Sequence, residues 1–143
     1  MDEVDDQYAP ADVESAVEEY WDDAAAYEAT KEAHADDPAF FFVDGPPYTS
    51  GQMHLGTAWN KTLKDAVIRY KRMSGHRVTD RPGYDMHGLP IEVKVEEELG
   101  FESKRDIEEY GMEAFIDECK RFAERNREAM DEDFQSIGVW MDW

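Results

Sequence analysis

The stretch from Phe40 to Asn60 constrains this chain most. It reads as three pieces in fixed order. Phe40–Val43, with Ala39 before it, is a short apolar run suited to a buried parallel strand. Asp44–Gln52 holds two Gly, two Pro, Asp, Ser and Thr, the residues of a turn-rich loop. A helical pattern then opens near His54. Strand, glycine-containing loop and helix N-terminus make an anion site, because unpaired N–H groups and the helix dipole both favour negative charge there. Gly51 or Gly56 would let a ligand approach backbone closely. The loop lacks the Gly-Lys-Ser/Thr of a Walker A motif and the Gly-x-Gly-x-x-Gly of a dinucleotide site.

The following residues extend this into a βαβ unit. A helix is expected from about His54 to Met73, with Leu55, Trp59, Leu63, Ala66, Val67 and Tyr70 as its apolar face and Ser74-Gly75 as its stop. His76–Arg81 reads as a second short strand, broken by Pro82-Gly83 so that Tyr84-Asp85 sits at its carboxyl end. Such a unit is right-handed by default, and open α/β sheets bind ligands beyond the carboxyl ends of their strands.

The flanks are helical. Met1–Pro10 reads as a loose acidic arm. From Asp12, Val13, Val17, Tyr20, Trp21, Ala24 and Tyr27 repeat at helical spacing as a packing face, with Ser15 and Glu18 as a possible capping box, and His34–Pro38 ends the segment. After Pro90, helices are expected over Ile91–Leu99, from Ser103 through Tyr110, and over Met112–Ile137, punctuated by Gly100, Gly111 and Gly138. Phe115, Ile116, Cys119, Phe122, Met130 and Phe134 line the last one. Arg121, Arg125 and Arg127 are expected to pair with nearby Glu. The end at Val139–Trp143 has no cap or closing strand and reads as a cut edge.

The single cysteine, Cys119, excludes an intrachain disulfide and any cysteine-based zinc site. The acidic start is not a signal peptide, and no apolar run approaches a membrane span, so a cytoplasmic protein without membrane contact is expected. The net charge of −20 opposes phosphate binding, yet His54–Arg81 holds seven basic residues against Asp65 and Asp80. These are read mainly as a solvated helix face, with Lys61 and Lys64 as groups that could screen phosphate. The acidic surplus elsewhere suits a very salty cytoplasm, where salt screens repulsion between surface carboxylates.

Two motifs carry a resemblance. Pro46-Pro47-Tyr48-Thr49-Ser50-Gly51-Gln52-Met53-His54-Leu55-Gly56-Thr57 resembles the first signature of class I aminoacyl-tRNA synthetases, usually His-Ile-Gly-His. Gly83-Tyr84-Asp85-Met86-His87-Gly88-Leu89-Pro90-Ile91-Glu92 resembles the Gly-Trp-Asp-Cys-His-Gly-Leu-Pro-Ile-Glu of isoleucyl-tRNA synthetases. With the acidity, the whole looks haloarchaeal. The resemblance implies an α/β fold: the first half of a Rossmann-like (HUP-type) nucleotide-binding catalytic domain over residues 39–143, behind an N-terminal arm and helix over 1–38. It implies ATP-dependent activation of isoleucine and transfer to tRNA(Ile), with ATP arriving as its Mg2+ complex. No Lys-Met-Ser-Lys-Ser loop, editing domain or anticodon domain falls within these residues, so the piece alone is expected to be inactive.

The resemblance also implies site roles. His54 and Thr57 would be catalytic; Pro47, Tyr48, Gly51, His54, Gly56, Thr57 and Asn60 would bind ATP. Gly45, Pro46, Tyr48, Asp85 and His87 would bind the amino acid, with the Asp85 carboxylate on its α-ammonium group. Thr57 stands where a second His is usual; Tyr84 and Met86 stand for Trp and Cys. Isoleucine and valine differ by one methylene, worth roughly 1–3 kcal/mol in a pocket, a limit for which isoleucyl enzymes are the usual illustration. The residues by themselves also fit a sister synthetase (valyl, leucyl or methionyl), a small nucleotidyltransferase of the same superfold, or a non-enzymatic acidic helical interaction module.

Overall fold

The computed structural model describes residues 9–143, so most of the expected acidic arm lies outside the described residues. Pro10–Asp23 forms α1 and Ala26–Ala33 forms α2. The expected single helix through Tyr27 is broken at Ala25, which takes a left-handed conformation with φ of 43°. The break lets Trp21 stack edge-on against Trp140 while Tyr27 reaches Asp80. Pro10, in the first turn where a missing N–H costs nothing, starts α1 earlier than expected. Ser15 is therefore inside the helix and caps nothing. Val13, Val17 and Tyr20 are exposed, so only the Trp21 end of that stripe packs.

Strand β1, Ala39–Phe41, pairs in parallel with β2, Arg77–Thr79, placing Phe40 opposite Val78. The crossover between them is α3, Leu55–Met73. Both strands are shorter than the apolar runs suggest, and only one face of the pair is covered. Phe40, Phe42 and Val78 pack toward Ile68, Met130 and Phe134. Phe41 and Val43 point the other way and are 70% and 75% exposed. The expectation of a strand buried on both faces is corrected for these residues.

Helix α3 turns its polar side inward. Lys61, Asp65, Ile68 and Arg72 are buried, at spacings of one helical face. The expected apolar face is the outer one: Leu55, Trp59, Leu63, Val67 and Tyr70 are all exposed. Buried charge is tolerable only when paired and hydrogen-bonded, and each has partners here. Asp65 accepts from Arg69 Nε at 2.6 Å and from the Trp140 N–H at 2.9 Å. Arg69 donates to the Gly138 carbonyl and lies over the Trp140 ring at 4.3 Å. Arg72 donates to Asp80, which also accepts from the Tyr27 hydroxyl at 3.1 Å. The basic segment is thus not a solvated face: much of its charge is consumed by internal carboxylates.

The rest is helical: α4, Leu89–Leu99; α5, Lys104–Tyr110; and α6, Met112–Ser136. Gly100 ends α4 in a left-handed cap, and Ser103 with Asp106 forms a reciprocal capping box on α5. Helix α6 joins two apolar clusters. Met130 and Phe134 pack with Ile68, Val78, Val139 and Met141; Phe115, Phe122 and Ala123 pack with Ile91, Val95 and Ile107. Of its expected apolar side, Ile116 alone faces solvent at 44% exposure. Arg121, Arg125 and Arg127 pair with Glu118, Glu98 and Glu124 as expected.

Candidate functional site

Two loops leave the carboxyl ends of β1 and β2 side by side, and two links hold them together. The first is Asp44, at the exit of β1. Its carboxylate accepts from Lys61 at 2.5 Å and from Lys64 at 2.6 Å, both on α3, and from the Gly83 N–H at 3.2 Å in the other loop. Lys64 also donates to the Gly45 carbonyl at 2.8 Å. The second link is a parallel bridge between Tyr48 and Asp85: Asp85 N–H donates to the Pro47 carbonyl at 2.8 Å, and Thr49 N–H donates to the Asp85 carbonyl at 3.2 Å. In such a pair the opposed side chains share a face, so Tyr48 and Asp85 project to the same side.

Burial would raise the Asp44 carboxyl, but its hydrogen bonds from Lys61, Lys64 and Gly83 outweigh that and hold it below the ordinary range. Burial pushes the Lys61 ammonium down, opposed in part by Asp44. The Lys61 ammonium also lies 4.9 Å from the Phe134 ring centre, 5.6 Å from Trp143 and 5.8 Å from Tyr84. Tyr84 in turn donates to Asp131, which Arg127 holds at 2.6 Å. Burial, reinforced by Asp131, raises the Tyr84 hydroxyl and keeps it protonated.

His54 is the N-cap of α3, in extended backbone. Thr57 N–H donates to its Nδ1 at 3.2 Å. An accepting Nδ1 puts the proton of a neutral ring on Nε2, which then donates to Thr57 Oγ1 at 3.0 Å. The Thr57 hydroxyl keeps its own proton for an outside acceptor. The ring lies against Gly56: a Cβ there would meet His54 Cε1 at 3.1 Å and Nδ1 at 3.2 Å. This is a second reason for glycine, beside ligand approach. Gly51 has open space around its Cα, and Asn60 lies exposed one turn beyond Gly56.

Gly45 and Pro46 are exposed, Pro47 half-buried, and Tyr48 53% exposed. Gly83 lies against Pro46 across the loops. Asp85 Oδ1 is buried with no hydrogen-bond partner, an unusual state for a carboxylate oxygen. His87 Nδ1 lies 3.9 Å from it, on a side chain that is 92% exposed.

The structure therefore brings Tyr48 and Asp85 together, joins His54 with Thr57, and leaves His87 and Asn60 on the rim. The residues that pattern reading missed are the linkers. Lys61 and Lys64 are neither solvated nor free to screen phosphate; both are held by Asp44. The available signal was an Asp at a strand exit followed by two Lys three residues apart on the next helix. A cavity of about 750 Å3 is lined by Trp21, Tyr27 and Gly138–Trp143 and includes none of the expected site residues. A smaller one of about 410 Å3 lies between Ser50–Gln52 and the facing residues Lys94, Glu97, Phe122 and Asn126. Among the described residues, no group of three or more His, Cys, Asp or Glu could hold a metal ion, and no helix is long and apolar enough to cross a membrane.

Comparison with known proteins places these loops in a family. The model of the tRNA synthetases class I (I, L, M and V) matches residues 16–143. An isoleucine--tRNA ligase of Haloquadratum walsbyi is 89% identical over the whole chain, which covers 14% of that relative's length. Isoleucine--tRNA ligases of Natronomonas pharaonis and Halobacterium salinarum are 69% and 68% identical over 99% of the chain, again 13% of their own length. The chain thus spans about one seventh of the curated relatives it matches, and those relatives include the halophiles that its acidity suggested. With both loop motifs inside the matched region, the chain belongs to the class I tRNA synthetase family, as a short α/β part of it built on two parallel strands.

Proposed function

We propose that this chain forms the first part of the active site of an isoleucine--tRNA ligase, the enzyme named for its relatives. ATP, as its Mg2+ complex, and isoleucine would meet over the two linked loops, and the isoleucine carboxylate would attack the α-phosphate to give isoleucyl-adenylate and pyrophosphate. The product would then pass to tRNA(Ile), through parts of the relatives outside these residues. The fold would be the opening half of a Rossmann-like domain over 39–143, preceded by the segment 1–38.

The observation that carries this reading is the unpaired Asp85 Oδ1, buried in the loop after β2 at the bridge to Tyr48. A buried, unsatisfied carboxylate oxygen is costly unless a ligand completes it, and an α-ammonium group is such a ligand. Tyr48, across the bridge, and His87 Nδ1 at 3.9 Å lie beside it, and Gly45 and Pro46 would complete the amino-acid side. On the other side, His54 stands at the N-terminus of a 19-residue helix, where donors and dipole favour phosphate. Pro47, Tyr48, Gly51, Gly56, Thr57 and Asn60 would flank the bound ATP. Catalysis there is positioning plus stabilisation of developing phosphate charge, with the Thr57 hydroxyl as a donor and His54 Nε2–H as a second once it exchanges Thr57 Oγ1 for a phosphate oxygen.

The test is calorimetric titration of an isoleucyl-adenylate analogue in molar KCl against this chain and a full-length relative carrying it. Asp85→Ala should abolish analogue binding to the full-length protein while leaving ATP binding in place. Unchanged analogue binding in that variant would overturn the reading.

A further inference from the structure

The geometry points to Asp44 as a positioning residue for this reaction, one that sets the spacing between the ammonium loop and the phosphate helix. It rests on the reading just given, and it concerns a residue outside both motifs.

Three segments converge on this one carboxylate. It is only 1% exposed. Lys61 and Lys64 bring α3, whose N-terminus is capped by His54; Gly83 brings the loop that two residues later presents Asp85. Asp44 itself lies three residues beyond β1 and leads into Gly45-Pro46-Pro47. Lys64, held by Asp44, fixes the carbonyl of Gly45. The two loops run close there: a Cβ added at Gly83 would meet the Asp44 carbonyl oxygen at 3.7 Å and Pro46 Cβ at 3.8 Å. The Tyr48–Asp85 bridge aligns the loops at one point only, and a single bridge leaves them free to pivot. The Asp44–Gly83 link is the second point, and the two lysines tie that alignment to α3.

The chemistry demands a carboxylate. An ionised carboxylate accepts at both oxygens and can serve two ammoniums and an amide together. An asparagine of the same shape offers one acceptor oxygen and turns an NH2 toward a lysine. A 1 Å misplacement of reacting groups can cost about a hundredfold in rate, so a small shift of Gly83 relative to α3 would be read in catalysis before it is read in the fold.

The experiment uses a full-length ligase in which these 143 residues replace the corresponding part of the Haloquadratum walsbyi relative. Isoleucine-dependent ATP–pyrophosphate exchange and thermal melting are measured in molar KCl. Asp44→Asn should lower kcat/KM at least tenfold, with a raised KM for isoleucine. The double variant Asp44→Asn/Lys61→Met removes the stranded ammonium; it should regain the parent melting temperature without regaining the activity. Asp44→Glu, which keeps the charge, should recover part of it. Exchange within twofold of the parent in Asp44→Asn, or activity that returns with melting temperature in the double variant, overturns the inference. If Asp44→Asn does not fold, the double variant decides. Asp85→Ala run alongside separates the two levels: loss there with a normal Asp44→Asn defeats this inference alone, and an unaffected Asp85→Ala defeats the site reading and this inference with it.

Discussion

Asp44 and Lys61 meet at 2.5 Å with 1% and 2% of their side chains exposed, and the carboxylate has a second cation while the ammonium has no second carboxylate bonded to it. The two halves of this pair are therefore unequal. Removing Asp44 strands a buried ammonium; breaking such a pair from one side costs about 3–5 kcal/mol. Removing Lys61 leaves Asp44 with Lys64 and Gly83. We expect Asp44→Ala to lower unfolding free energy by that amount in denaturant melts, and Lys61→Met, which keeps the aliphatic stem among Phe134, Tyr84 and Trp143, to cost clearly less. Equal losses would show that the pair, not the triad, is the stabilising unit.

The acidic limb of stability carries the same signature. The folded carboxyl of Asp44 is depressed, so its contribution is present above the ordinary Asp value of 3.8 and is lost as pH falls through the lower folded value. Asp80 runs the opposite way: burial outweighs Arg72 and Tyr27 and raises it, so its contribution is held at low pH and lost as pH rises through the raised value. Asp44→Asn should flatten the decline of stability below about pH 4, and Asp80→Asn should remove a gain in stability that accrues above that point, as pH falls from the raised folded value toward 3.8. Melting curves from pH 2 to 6 at constant KCl read both slopes. An unchanged acid limb in Asp44→Asn would contradict the assignment.

Outward and inward faces of α3 separate sequence pattern from packing. Leu63 and Val67 are 55% and 46% exposed, whereas Ile68 is fully buried. Polar substitutions at exposed positions stay within about 0.5 kcal/mol, and a buried Ile→Ala costs about 2–5 kcal/mol. Leu63→Gln and Val67→Gln should therefore leave the unfolding midpoint of the 143-residue chain nearly unchanged, while Ile68→Ala lowers it strongly. A large loss at Leu63 would mean that the apolar face packs within this chain.

That contrast also shows what the residues reveal on their own. Helices α4, α5 and α6 are legible because Gly100, Ser103 and Gly111 punctuate a clear period, and the βαβ unit because Pro and Gly bracket short apolar runs. The inward side of α3 is not legible. Apolar periodicity selects Leu55 and Trp59, but Lys61, Asp65 and Arg72 go inside because Asp44, the Trp140 N–H and Asp80 meet them from 17, 75 and 8 residues away. Apolar periodicity does not encode such pairing; the spacing of Asp44 ahead of Lys61 and Lys64 hints at one part of it only. Ala25 is similar: nothing in its neighbourhood marks a left-handed residue. At the site, the loop motifs name His54 and Asp85, but the bridge to Tyr48 and the Asp44 link exist only once β1 and β2 are paired.

His54 serves two ends that substitution can pull apart. As N-cap it accepts from the Thr57 N–H; as a donor it would meet phosphate through Nε2. Asn is also a good N-cap but lacks that reach, and losing a cap costs about 1 kcal/mol. His54→Asn should keep the melting temperature and abolish exchange activity in a full-length ligase, whereas His54→Ala should lose both. Activity retained in His54→Asn would confine the histidine to capping.

Gly56→Ala brings helix propensity and site geometry into conflict. Alanine is favoured over glycine inside a helix by about 1 kcal/mol, and position 56 is in the first turn of α3, where part of that gain is available. The added Cβ would press on the His54 ring at 3.1 Å, closer than ordinary contact. The ring is exposed and can swing out, so the strain need not fall on the backbone. We expect Gly56→Ala to melt at or slightly above the parent temperature, to lose the hydrogen bond from the Thr57 N–H to the imidazole as seen by nitrogen chemical shifts, and to lose exchange activity. Unaltered imidazole shifts with normal activity would show that neither the His54 ring nor the ligand depends on the bare Cα of Gly56.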